Sequence, residues 1–201
     1  MSLRDRSTPP LPHLYGHGLH LSVWDAGSDA DAAAWLRGIT DPEFTRWNTP
    51  LTEVTDIEGA RRTLASRARA VLEGRTVPFR VADAADGRIL GHIGLNEIDT
   101  AIRVARVGYW VMPEARGRGV ATHALALTAA WALGDLGLHR LELGHALGHG
   151  ASCHIAERCG FRAEGTLRGA MFEEGRRDAF RDAHLHARLA TDPEPDLGPR
   201  P

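Results

Sequence analysis

The chain contains no lysine, and all 24 of its basic residues are arginine. A P-loop is thereby excluded, because its Gly-x-x-x-x-Gly-Lys-Ser/Thr pattern needs a lysine to reach the phosphates. The same absence leaves the protein no lysine side chain of its own to acylate. Cysteine is scarce: Cys153 and Cys159 lie within one expected helix and its end, a poor geometry for a disulfide, so reduced thiols are expected. No apolar run approaches the roughly 20 residues of a membrane span, so no membrane partner is expected. The start, Met1-Ser-Leu-Arg-Asp-Arg, lacks an apolar signal-peptide core, and a cytoplasmic location is the expectation. An excess of either charge is also missing, since the formal net charge is −2; a general nucleic-acid binder, which needs a strongly basic face, is not expected.

With 201 residues, 43% of them hydrophobic, the chain suits one well-buried domain. Residues 1–18, with Pro9, Pro10 and Pro12, read as an irregular N-terminal arm. Residues 190–201, rich in proline and poor in apolar side chains, read as a disordered tail. Between them, residues 19–24 alternate as a strand does, Ser28 or Asp29 caps a helix to Gly38, and Asp41-Pro42-Glu43 opens a short helix toward Trp47. Thr55-Asp56-Ile57-Glu58 has capping-box spacing ahead of a longer helix that ends by Gly74. Strands at 77–82, 89–98 and 103–111 follow one another and suggest an antiparallel meander. A buried helix then runs to Leu136, followed by a strand at 138–143, a helix from about Ala151 to Arg158, and closing strands at 161–172 and 180–189 around Glu173-Glu174-Gly175. The fold class is α/β (α+β), with residues 19–189 as the domain.

The most informative segment is Arg116-Gly117-Arg118-Gly119-Val120-Ala121-Thr122, between the strand that Pro113 stops and the long helix. Gly117 and Gly119 permit positive φ and let an anion approach without meeting a Cβ. The helix behind them opens with unpaired N–H groups and a partial positive charge, to which Arg116 and Arg118 add formal charge. Strand, glycine loop and helix N-terminus together predict a pyrophosphate site. A dinucleotide fingerprint fits poorly, because its third glycine would fall where Thr122 stands.

Arg116-x-x-Gly119-x-Ala121, following Gly108-Tyr109-Trp110, resembles the acetyl-CoA loop of the GNAT acetyltransferases. Asp41-Pro42-Glu43, the Gly-x-Ile-Gly-Leu run at 91–95 and Cys159-Gly160-Phe161, continuing to Glu164-Gly165 and Arg168, fall in the order of the ribosomal-protein N-terminal (alanine/serine) acetyltransferase branch. The resemblance implies the GNAT acyl-CoA N-acyltransferase fold, with helices flanking a mixed, mostly antiparallel sheet that splays between its fourth and fifth strands. Acetyl-CoA is implied as co-substrate. By the same resemblance the backbone of Val111 and Met112 pairs with the pantetheine arm, and the amides of Arg116, Gly117, Arg118, Gly119, Val120, Ala121 and Thr122 hold the pyrophosphate.

Many members carry Asn-x-x-Ser at the helix after the fifth strand, where this chain has His149-Gly150-Ala151-Ser152. Ser152 is the candidate proton donor to the leaving thiolate, with a helix-terminal hydroxyl as its alternative role. His149 is a candidate hydrogen-bond donor to the cofactor or a base. Met171 stands where ribosomal members place a glutamate base, and Arg106 where many relatives place an acid. Glu97, Asp99, Glu173, Glu174 or a water chain remain as routes for the proton. Trp47, Asn48, Phe79, Asn96 and Met171 are the candidates for the acceptor side. His145, His149 and His154 do not have metal-ligand spacing, so no metal is expected. The acceptor implied is an amine, first a protein N-terminus, alternatively a polyamine or aminoglycoside-like small molecule, and a homodimer is the assembly allowed for. A rival class is an acyl-CoA-binding regulatory module without catalysis.

Overall fold

A computed structural model describes residues 11–198 of the chain. A hairpin of β1 (Leu14–Gly16) and β2 (Leu19–Val23) is followed by the helices α1 (Asp29–Ile39), α2 (Pro42–Trp47) and α3 (Ile57–Leu72). The meander β3 (Val77–Asp83), β4 (Ile89–Asp99) and β5 (Val104–Val111) comes next. A 3-10 turn at Pro113–Ala115 leads into α4 (Val120–Leu133), then β6 (Arg140–Ala146), α5 (Gly150–Arg158), β7 (Arg162–Glu173) and β8 (Arg176–Leu189). All the strands lie in one sheet, in the order β1-β2-β3-β4-β5-β6-β8-β7. Every neighbouring pair is antiparallel except β5 and β6.

Strand alternation gives the sheet two distinct faces. Phe79, Ile93 and Tyr109 stand opposite one another on one face, where Phe79 meets Trp131 of α4 edge-on at 5.5 Å. Arg80, His92 and Trp110 share the other face, under α1 and α3. There Trp24, Trp35, Trp110 and His92 pack ring against ring at 5.0–6.1 Å. Helix starts are capped by side chains: Ser28 accepts from the Asp31 amide, Asp41 from Phe44 and Asp56 from Gly59. The cap of α3 is thus Asp56, one residue beyond the Thr55 of the expected capping box.

Two expectations about the ends are corrected. The supposed arm contains β1, because His17 (φ 52°) and Gly18 (φ 72°) make a two-residue turn that reverses the chain onto β2. Gly16 sits so close to α4 that an added Cβ would lie 2.7 Å from Leu127. Residues 1–10 lie outside the described part. At the other end, the tail as far as residue 198 is laid against the body by polar groups together with Leu197, which packs against the core. Arg188, 1% exposed, pairs with Glu194 at 3.0 Å, and Arg158 donates to the Leu197 carbonyl at 2.9 Å. A buried guanidinium needs a counter-charge, and a count of apolar residues cannot register that need.

His92 adds a pH dependence to this core. Its Nδ1 lies 3.0 Å from Trp24 Nε1, which can only donate, and 3.0 Å from the Phe79 carbonyl, which can only accept. The neutral ring serves Trp24, and protonation at Nδ1 would forfeit that bond. Burial, and secondarily the Arg67 cation, hold its pKa well below the usual imidazole range; Arg80 beside it is paired with Asp31. A depressed histidine pKa contributes stability that is present above the unfolded value of about 6.5 and is lost as pH falls toward the folded value. Chemical denaturation should therefore give an unfolding free energy that falls below about pH 6.5, by up to about 1.4 kcal/mol per pH unit from this group. His92→Asn should flatten that slope, and an unchanged slope would exclude His92 as its source.

Candidate active site

The parallel pair separates part-way along its length. β5 and β6 are in register from Val104 and Arg140 to Val107 and Leu143. Beyond that point β5 stays paired to β4 as far as Val111, and β6 to β8 as far as Ala146, so a V opens between them. This is the splay expected between the fourth and fifth strands, displaced by one in number because of the extra strand β1.

Ladder alternation decides which backbone groups face the V. The Met112 amide donates to the Leu90 carbonyl of β4 at 2.8 Å, and Met112 is 1% exposed. Its amide, like the polar groups of Trp110, therefore turns to β4, and its carbonyl accepts from the Ala115 amide at 2.9 Å, while the polar groups of Tyr109 and Val111 turn to the opening. The expectation for Met112 is off by the phase of the strand, and Tyr109 takes its place beside Val111.

The loop beyond β5 has the predicted geometry. Gly117 and Gly119 both sit at positive φ, 70° and 75°. A Cβ on Gly117 would meet nothing within 4 Å, whereas one on Gly119 would press on the His123 ring at 3.1 Å. The first bond of α4 runs from the His123 amide to the Gly119 carbonyl at 3.0 Å. The amides of Val120, Ala121 and Thr122 are thus without helical partners. Arg116 is used differently from the expectation. Its guanidinium pairs with Asp41, the cap of α2, and its Nε donates to the Val111 carbonyl at 3.2 Å, so it braces the loop against α2. Arg118 is exposed and makes no ion pair among the described residues.

Loop, β5, α2 and α5 enclose a cleft of about 430 Å³, whose lining includes Trp47, Asn48, Tyr109, Val111, Gly119 and His149. His149 occupies the N-cap position of α5, with its ring flat on Trp47 (centroids 4.5 Å apart) and edge-on to His145. Burial, then His145, pushes its pKa down to about 4 against the opposing pull of Glu43, so at pH 7 it is a neutral imidazole. Trp47 donates its indole N–H to Glu43 at 2.7 Å. Ser152, 4% exposed, places Oγ 2.7 Å from the Tyr109 hydroxyl. Burial pushes that phenol up to about 12, opposed by the Ser152 hydrogen bond, so it stays protonated.

The structure brings Trp47, Asn48, His149 and Ser152 together with the loop, and separates the rest. Phe79 is fully buried beneath α4. Asn96 lies on the opposite face, accepting from Arg67 of α3 at 3.3 Å. Met171 faces Arg181 across the β7–β8 hairpin, outside the cleft. Phe79 and Asn96 are sent to opposite faces by alternation, whereas Met171 shares its face with Arg181, whose guanidinium lies over Trp47. Glu97 is paired to Arg106 and Asp99 caps the turn at Ala101. Among the described residues, Glu43 is the one carboxylate lining the cleft. Tyr109 and Asp41 are functional candidates that spacing did not single out, since their partners Ser152 and Arg116 are remote in sequence.

The model of the acetyltransferase (GNAT) domain family matches residues 23–162, which contain strand, loop and splay. The chain belongs to the GNAT acetyltransferase family. The chain is 34% identical to a putative ribosomal N-acetyltransferase, YdaF, of Bacillus subtilis over 45% of this chain and 49% of that one. It is 30% identical to a spermidine N(1)-acetyltransferase of Vibrio cholerae over 48% of this chain and 56% of that one. The matches thus span about half the length of these curated GNAT relatives. Among solved structures, Mycobacterium smegmatis RimJ in complex with CoA-disulfide superposes with a TM-score of 0.76 at 27% identity, covering 86% of this chain and 82% of that one.

Proposed function

We propose that the protein is an N-acetyltransferase that moves the acetyl group of acetyl-CoA to a primary amine, and that the acceptor is a protein N-terminal α-amine. The observation that carries the reading is the V between β5 and β6 opening directly onto the unpaired amides of residues 120–122. Those amides and the open face of Gly117 fit a pyrophosphate. Tyr109 and Val111 offer β5 backbone groups to an extended pantetheine arm, as a strand would to its neighbour, and an amide turned the same way can bind the thioester oxygen as charge gathers there. Neutral His149 accepts or donates one hydrogen bond at the mouth of α5. The Tyr109–Ser152 hydroxyl pair supplies the proton that the departing thiolate takes up, while the attacking nitrogen sheds one proton to water as the amide forms and water returns a proton to the hydroxyl pair.

The acceptor reading rests on the two possible bases packed against Trp47, Glu43 and His149; the third histidine or carboxylate of the described lining, His154, lies exposed on α5. Glu43 is bonded to Trp47, and His149 is too weakly basic to abstract a proton at pH 7. Such a site favours an amine that is already neutral. At pH 7.5 about a third of an α-amine (pKa about 7.8) is uncharged, against about one in a thousand of a lysine-like amine (pKa about 10.4). A second cleft, between α1, residues 49–55 and the β7–β8 turn, carries Glu53 and Asp178 but also Arg176 and Arg177, a mixture that does not suit a polycation. YdaF, by its name, lends support to a ribosomal acceptor, and the spermidine enzyme supports the small-molecule alternative.

Thiol release with acetyl-CoA, measured across Ser- and Ala-initiated peptides, spermidine and an aminoglycoside, tests the reading. Peptides should be turned over with kcat/KM at least about tenfold above the others. Turnover of spermidine alone would reassign the acceptor, and acetyl-CoA binding without turnover of any amine would favour the regulatory module. Tyr109→Phe should lower kcat about tenfold with little change in the KM for acetyl-CoA, because Ser152 and water retain part of the proton path. An unchanged kcat would remove the phenol from it.

A further inference from the structure

Beneath α5, on the side away from the acetyl-CoA loop, four metal-binding side chains converge that the transferase reading does not use. His145 of β6 stands directly opposite His184 of β8, and His186 is two residues along the same face of β8. Cys153 comes down from α5, and one ligand atom from each of the four lies within 4.8 Å of all the others. None of the sequence spacings predicted this group, because two of its members lie about thirty to forty residues from the other two.

We propose that His145, Cys153, His184 and His186 form a binding site for a divalent transition-metal ion of borderline softness, zinc by its ligand set. Three imidazoles and one thiolate make four protein ligands, the count of a closed, tetrahedral, structural site. The spacing is near what such an ion imposes. Bond lengths of about 2.05 Å to nitrogen and 2.3 Å to sulfur give tetrahedral edges of roughly 3.3–3.6 Å. Cys153 Sγ is 3.7 Å from His186 Nε2. The widest separation, 4.8 Å, asks for a closure of little more than 1 Å, which the half-buried His184 and Cys153 can supply.

Two further observations point to a ligand rather than to a chance cluster. The Nδ1–H of His145 donates to the Ala146 carbonyl at 3.1 Å, and that of His186 to the Phe161 carbonyl at 3.4 Å. A carbonyl can only accept, so each bond leaves Nε2 of its ring as a lone pair, the orienting arrangement that metal-bound histidines have. The second is an orphan. His145 is 4% exposed, and its Nε2 is buried with no hydrogen-bond partner among the described residues. A buried polar atom left without its bond destabilises the fold, and a metal ion relieves it. On binding, the Cys153 thiol proton leaves to solvent and the sulfur–metal bond takes its place, with no change of oxidation state. The ion would clamp the first turn of α5, next to Ser152, onto β6 and β8.

The site does not depend on the acetyl-transfer reading, and its test reads no activity. Chelator-dialysed protein is titrated with Co²⁺ and followed by absorption. The expected result is one equivalent of cobalt with intense tetrahedral d–d bands and a thiolate-to-cobalt charge-transfer band, displaced stoichiometrically by Zn²⁺. Cys153→Ser should abolish the charge-transfer band although Cys159 remains, and His184→Asn should weaken cobalt binding at least tenfold. Zinc should raise the Tm of the wild type and not that of Cys153→Ser. A weak octahedral spectrum, no binding at 100-fold excess, or a charge-transfer band that survives Cys153→Ser would each overturn the proposal. Should Cys153→Ser fail to fold, retention of wild-type cobalt affinity by His184→Asn would do so.

Discussion

Gly117→Asp is expected to lower acetyl-CoA affinity about 500-fold in calorimetric titration while lowering the Tm by only a few degrees. Two effects add. Position 117 is held at φ 70°, where a side chain costs about 1 kcal/mol and aspartate less than most. The larger effect is electrostatic. A Cβ there projects into open space, the same space that the amides of residues 120–122 leave to an anion. A carboxylate about 5 Å from a pyrophosphate, at an effective dielectric near 20, opposes it by roughly 3 kcal/mol, which is about a hundredfold in affinity. Gly117→Ala separates the contributions, because it carries the backbone strain without the charge and should cost only about fivefold. Equal losses in the two variants would mean that the loop conformation matters and no anion sits there. No loss in either would detach the loop from the site.

The parts legible in the sequence are those that are local in the chain. The loop and its flanking strand and helix fall within about 30 consecutive residues, so glycine positions, the strand stop at Pro113 and the helix start are sufficient to place them. The meander was legible for the same reason. What escaped depends on partners that only the fold selects. Strand membership places a residue in the sheet, but the phase of the ladder decides whether its amide or side chain faces the cleft. Hence Met112 is committed to β4, Asn96 to α3 and Phe79 to α4, whereas Tyr109 faces Ser152. Charge pairing has the same character. The sequence lets the Arg116 side chain add charge to the loop, yet Asp41, 75 residues earlier, takes its guanidinium. The histidines show both sides of this limit. His145, His149 and His154 are close in sequence and look like a set, but the group that converges is His145 with two residues of β8 and one of α5.

Phe79→Ala is expected to destabilise the protein by about 3–5 kcal/mol, the cost of removing a fully buried aromatic side chain. Phe79 is 0% exposed and lies in the central strand layer between Ile93 and the edge of Trp131, so neighbours from two elements would face the resulting cavity. Denaturant titration measures the loss directly. The result also bears on function, because position 79 was a candidate for the acceptor wall. If it lined the acceptor, Phe79→Leu would raise the KM for the amine; if it is core, that variant keeps most of the volume, costs under about 1.5 kcal/mol and leaves the KM unchanged. Trp47 supplies the contrast. It lies at the cleft beneath His149 and is only partly buried, with Arg46 and Arg181 over its face. Trp47→Leu should therefore disturb catalysis more than stability. The opposite pairing, with kinetics sensitive at 79 and stability sensitive at 47, would require the sheet face that carries Phe79 to open toward the acceptor. The packing of α4 against it forbids that.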